Sequence, residues 1–148
     1  MDRLLLLVVV ATAAGTLAHL VQRRRPDAPV RTGWSVPQQL DRRDFDRPDA
    51  PWLVAVFTSA RCETCSSVVE VAGPLESEAV AFHEVEAGAR KDLHDRYAVE
   101  AVPMVLLVDA VGVVRSHHLG PVSATHLWGS LAELRQPGCT PDGCSAGD

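Results

Sequence analysis

Cysteine is scarce in this chain, an excess of positive charge is lacking, and the familiar catalytic constellations are missing. Four cysteines in 148 residues are too few for a disulfide scaffold, and a chain of this length, 47% apolar, buries a core without covalent help. A formal net charge of −5 leaves no overall basic field, which argues against nucleic acid as a partner. There is no internal repeat, no Gly-rich phosphate loop, no pair of catalytic carboxylates and no Ser/His/Asp arrangement. Nothing in the sequence calls for a cofactor.

What is present begins with Leu4 to Val21, an apolar stretch without a charged side chain. As a helix it would span about 27 Å, just short of a hydrocarbon core of roughly 30 Å. It reads as a single-pass membrane anchor. The rival readings are a cleaved signal peptide, with Ala11-Thr12-Ala13 as the cleavage site, and a buried soluble helix. Arg23, Arg24, Arg25 and Arg31 outweigh Arg3 and the amino terminus, so the positive-inside bias favours a cytoplasmic domain at the cell membrane, with an extracytoplasmic one as the alternative. The run continues through Arg42, Arg43 and Arg47 and reads as a membrane flank rather than a phosphate-binding surface. The implied organisation is an anchor over 1–22, a Pro/Gly-containing linker over 23–37, a domain over 38–136 and a flexible tail over 137–148.

Within the domain, strands and helices alternate. Trp52 to Phe57 is a continuous apolar run, as expected for a strand covered on both faces. Cys65, Val68, Val69 and Ala72 then repeat at helical spacing until Gly73-Pro74. Val80 to Val85 reads as a strand, Asp92 to Tyr97 as a short helix, and Met104 to Val108 as another buried strand. Asp109 to Gly112 makes a turn from which Val113 to His118 pairs back. Ser123 caps a last helix that carries Leu127, Leu131 and Leu134 on one face. The order predicts an α/β fold, a mixed central sheet flanked by helices.

The chemistry concentrates in Cys62-Glu63-Thr64-Cys65, between a buried strand and a helix. A helix N-terminus offers unpaired N–H groups and partial positive charge, both of which stabilise a thiolate. Cys62, at the start, is the candidate exposed nucleophile, and Cys65, one turn in, the candidate resolving thiol. Arg61 favours the thiolate and Glu63 opposes it. As half of a metal site the pair needs two further ligands, for which Cys139 and Cys144 are loosely spaced. His117 and His118 are adjacent on a strand and face opposite ways.

Together with Tyr97-Ala98-Val99-Glu100-Ala101-Val102-Pro103-Met104-Val105-Leu106-Leu107, and with Gly112 and Gly120, this dithiol resembles the thioredoxin superfamily over about residues 38–135. The resemblance implies a thioredoxin-like fold, a redox-active Cys62–Cys65 centre and a cis-proline at Pro103. Val102 would bind an extended protein substrate through its backbone, and Pro103 would keep the adjacent groove free of metal ligands. Three departures stand out. Glu63-Thr64 replaces thioredoxin's Gly-Pro, Arg61 replaces the tryptophan before the first cysteine, and Val56 occupies the place of the buried acid that assists proton transfer.

The leading expectation is therefore a membrane-tethered oxidoreductase acting on protein disulfides or dithiols and reset by a redox partner. A binding or adaptor module with little turnover is the alternative, and a metallochaperone a third. Trp34, Trp52 and Trp128 read as packing or domain-edge residues, and His83, His94 and His126 as surface or helix-face residues. Glu84-Val85-Glu86 and Arg90-Lys91-Asp92 read as a solvated strand end and helix start. Cys139 and Cys144 are either unpaired tail thiols or a shuttle pair.

Overall fold

Strand β1, Trp52–Thr58, has its apolar run divided between two cores in the computed structural model, which describes residues 33–138. Leu53, Ala55 and Phe57 pack with Leu40, Phe45 and Leu93 on one face of the sheet. Val54 and Val56 pack with Val68, Ala72, Leu127 and Leu131 on the other. Side chains alternate along a strand, so one covered on both faces has no polar positions to spare.

The chain continues through helix α1, Cys65–Ala72, and a short 3-10 turn, Gly73–Leu75, to strand β2, Val80–Glu86. Helix α2, Lys91–Arg96, leads to the hairpin of β3, Met104–Asp109, and β4, Val114–Leu119. Helix α3, Ala124–Arg135, closes the domain, and the Ser123 hydroxyl caps it by accepting the His126 N–H at 3.3 Å. The sheet order is β2-β1-β3-β4. β1 runs parallel to β2 and antiparallel to β3, and β3 runs antiparallel to β4. This is the mixed sheet expected from the sequence, with α1 and α3 against one face and α2 against the other.

The segment 4–21, most of the linker, and Cys139 and Cys144 lie outside the described residues. Among the described residues no helix is long and apolar enough to cross a membrane. Arg42, Arg43 and Arg47, which the sequence suggests as a membrane flank, instead belong to the folded body. Arg42 is buried and donates to the carbonyls of Asp109 and Ala50, both at 2.9 Å. Arg43 pairs with Asp41 at 2.8 Å, and Arg47 donates to the Glu78 carbonyl at 2.6 Å. A guanidinium carries five donors; the terminal nitrogens of Arg42 reach the carbonyls of Asp109, Arg47 and Ala50, whereas its buried Nε has no partner among the described residues.

The β3–β4 turn depends on Gly112. Its φ is +87°, and a Cβ there would lie 2.1 Å from the Leu40 carbonyl oxygen. That approach is tight because the Leu40 N–H donates to the Gly112 carbonyl at 2.8 Å, docking the leading segment onto the hairpin. Gly112→Ala is expected to cost about 3 kcal/mol, from left-handed strain and a backbone clash together, read as a lower urea midpoint.

Candidate functional site

The register brings four strand ends together. Phe57 near the end of β1 lies opposite Met104 at the start of β3, Met104 lies opposite Leu119 at the end of β4, and Thr58 lies beside Glu86 at the end of β2. The Cys62 turn leaves from β1 at this edge, and Val102 and Pro103 enter β3 at the same edge. The Val102–Pro103 peptide bond is cis, Pro103 is buried and Val102 half-buried. The Pro103 carbonyl accepts the Gly120 N–H at 2.8 Å, tying the loop after β4 to the proline.

Cys62 and Cys65 form a disulfide, with Cα atoms 5.4 Å apart. They are unequal: Cys62 is half-exposed, whereas Cys65 is 4% exposed. The regular helix begins at Cys65 rather than at Cys62, which sits in the preceding turn. There the Cys62 N–H donates to the Ser59 carbonyl at 2.9 Å, and the Cys65 N–H approaches the Cys62 carbonyl at 3.4 Å. Cys62 is thus held outside the first turn of the helix and is partly exposed. Its neighbour Thr64, part of the Glu63-Thr64 departure from Gly-Pro, places Oγ1 3.8 Å from the Cys62 sulfur. A hydroxyl at that distance can donate to a thiolate and favour the charged form.

Below the dithiol turn the surroundings are apolar. Val56 is fully buried and shares its cluster with Val68, one turn beyond Cys65. Among the described residues no group of three or more His, Cys, Asp or Glu side chains could hold a metal ion. His117 and His118 lie opposite Leu106 and Val105, which belong to the two different cores, so their rings project to opposite faces. Burial first, then His117 and His126, holds the His118 imidazole below its ordinary pKa.

Solved structures similar to this chain include thioredoxins. A mutant thioredoxin from Halobacterium salinarum NRC-1 superposes with a TM-score of 0.51 over 59% of this chain and 76% of that one, at 21% identity. This chain has a thioredoxin fold. A malarial protein gives a TM-score of 0.51 over 58% of this chain and 98% of that one, at 16% identity. Thioredoxin O2 from Arabidopsis thaliana in the oxidized state gives 0.49 over 57% and 76%, at 24% identity. No family model and no curated protein matches the chain.

Within this thioredoxin fold, residues that the sequence suggests as surface, helix-face or solvated positions make specific contacts. His94 is buried, with Nε2 2.9 Å from the Val85 carbonyl and its ring edge-on to Phe57 at 5.2 Å. Glu84 and Glu86, at the expected solvated strand end, brace the turn region. The Thr58 hydroxyl donates to Glu84 at 2.8 Å. The Glu86 carboxylate accepts the N–H groups of Gly88 at 2.8 Å, Ala89 at 2.9 Å and Ala60 at 3.0 Å. Those three donors hold its carboxyl below the usual carboxylate range. A sequence clue did exist: an acid at a strand end followed two residues later by glycine, Glu86-Ala87-Gly88.

Proposed function

We propose that this chain is a thiol–disulfide oxidoreductase acting on protein disulfides through Cys62 and Cys65. The supporting observation is the asymmetric pair itself, an accessible Cys62 and a buried Cys65 on the turn between β1 and α1 of a thioredoxin fold.

In the reducing direction, the Cys62 thiolate attacks one sulfur of a substrate disulfide. The substrate S–S bond breaks, one substrate sulfur leaves as a thiolate that takes up a proton, and a Cys62–substrate mixed disulfide forms. Cys65 loses its proton and attacks the Cys62 sulfur. The second substrate sulfur then leaves, and the Cys62–Cys65 disulfide closes. Two electrons pass to the substrate, and a dithiol partner must return them. Val102 lends backbone groups to the extended substrate beside Pro103, and the Thr64 hydroxyl supports the Cys62 thiolate.

The segment 4–21 tethers the domain at the cell membrane as a single-pass anchor, followed by the linker. Arg23, Arg24, Arg25 and Arg31 place the domain on the cytoplasmic side, where the reducing direction prevails. A protease-protection assay on sealed membranes tests this: the domain is cut only in preparations that expose the cytoplasmic face, and cutting from the opposite face refutes the orientation.

The second reading is a binding module with little turnover. Val56 favours it, because a buried apolar side chain cannot relay the Cys65 proton. Reduction of a protein disulfide by the pre-reduced domain separates the two. An oxidoreductase transfers electrons and loses that ability in Cys62→Ser; a binding module transfers none in either form.

A further inference from the structure

The Glu86 side chain ties the loop carrying the cysteines to the loop after β2, through backbone donors on both sides. Its Oε1 accepts the Ala60 N–H at 3.0 Å, two residues before Cys62. Its Oε2 accepts the N–H groups of Gly88 and Ala89, at 2.8 and 2.9 Å, in the loop after β2. One carboxylate thus fastens two loops beyond the Thr58–Glu86 pair, where the β1–β2 ladder ends. A charge-assisted hydrogen bond of this kind is about twice as strong as a neutral one. The fastening sits next to the contact that orients Cys62, because Ala60 follows Ser59, whose carbonyl accepts the Cys62 N–H at 2.9 Å.

Glycine at position 88 leaves room for this carboxylate. A Cβ added to Gly88 would lie 2.9 Å from Glu86 Oε2. The atom it meets is the end of a flexible side chain, so alanine there would displace the carboxylate from its donors with little damage to the core. Glu84, two residues earlier on β2, carries the same charge but bonds the Thr58 hydroxyl at the end of β1 instead.

From this geometry we infer that Glu86 is a positioning residue for the dithiol: by clamping the Ser59–Arg61 turn it fixes the Cys62 sulfur within reach of Cys65 and raises the effective concentration of one thiol at the other. This inference rests on the redox reading of the Cys62–Cys65 pair. The step it governs is the second exchange, in which Cys65 attacks Cys62, the bond from Cys62 to substrate breaks, and the substrate leaves as a thiolate. A thiol held in near-attack geometry makes that exchange effectively unimolecular, so loosening the turn lowers its effective molarity. The same loosening makes the intramolecular disulfide easier to reduce.

The test equilibrates the full chain with reduced and oxidised glutathione and reads the oxidised fraction of the Cys62–Cys65 pair, alongside the unfolding midpoint. Cys139→Ser and Cys144→Ser are present throughout, so that only one pair is counted. Glu86→Gln and Gly88→Ala are expected to shift the equilibrium with glutathione about tenfold toward the dithiol, equal to about 30 mV for a two-electron couple. Glu84→Gln, which removes the same charge without touching the Ala60 contact, is expected to leave it unchanged. An equal shift in Glu84→Gln would make the effect one of charge and overturn the clamp. So would an unchanged equilibrium in both Glu86→Gln and Gly88→Ala, even with a lowered unfolding midpoint. Protein-disulfide turnover by the parent chain is read separately. If turnover is absent while the glutathione shift is present, the oxidoreductase reading fails and the clamp stands.

Discussion

In the chain carrying Cys139→Ser and Cys144→Ser, Cys65→Ser is expected to arrest the protein as a mixed disulfide with its substrate, and Cys62→Ser to form none. The asymmetry of the pair argues for this. Cys62 is half-exposed on a turn outside the helix, whereas Cys65 is buried at the first helical position. On the proposed function, a protein disulfide meets the partly exposed Cys62 rather than the buried Cys65. With serine at 65, the first exchange proceeds and the second has no thiol to complete it, since a hydroxyl does not displace a thiolate near neutral pH. The expected contrast is large: about a thousandfold or greater loss of turnover in either variant, with trapped product in only one. Non-reducing electrophoresis of the two variants after exposure to a disulfide-bearing protein reads the difference. Trapping in both variants, or in neither, would contradict the assignment of nucleophile and resolving thiol.

A comparable effect on stability is expected from Val56→Asp, which puts an acid where, by the resemblance, thioredoxin itself would carry one. Val56 is fully buried, and its cluster of Val54, Val68, Ala72, Val105 and Leu107 offers no polar partner. Burial without a partner raises a carboxyl pKa by about 3 units, and each unit is about 1.4 kcal/mol. The ionised aspartate should therefore cost about 4 kcal/mol at pH 7 relative to its protonated form. The sign follows from the shift. With the folded pKa above the unfolded value, the protonated group is tolerated below about pH 4, and stability is lost as the pH rises through the folded pKa. Val56→Asn supplies the polar but uncharged comparison. Urea midpoints that fall with rising pH for aspartate and stay level for asparagine are expected. A pH-independent loss in Val56→Asp would mean that a partner or water reaches the site.

The elements that carry the fold were legible because they rest on periodic burial. The uninterrupted Trp52 to Phe57 run and the Leu127, Leu131, Leu134 face each follow from which sides are covered, and Ser123 caps the helix that its hydroxyl predicts. The polar details were less legible, because a sequence records that a side chain is charged but not which backbone group it will meet. Arg42 looks like any basic flank until the carbonyls of Asp109 and Ala50 surround it. Glu86 looks like a solvated strand end until three N–H groups converge on it. His94 lies on a short helix whose six residues show too little periodicity to reveal the buried face. The dithiol was visible from its spacing, while its place ahead of the regular helix followed from the Ser59 and Cys62 turn bonds, which depend on backbone geometry.

The most direct test of dithiol exchange at Cys62 and Cys65 is a thiol count on both reactants after the pre-reduced chain meets a protein disulfide. The chain used carries Cys139→Ser and Cys144→Ser, so that only one pair titrates. The expected result is stoichiometric: the substrate gains two thiols for each chain that loses two, with Cys62 and Cys65 recovered as a disulfide. A chain that keeps both thiols while the substrate keeps its disulfide, under conditions where free dithiols do exchange, would contradict the proposed function.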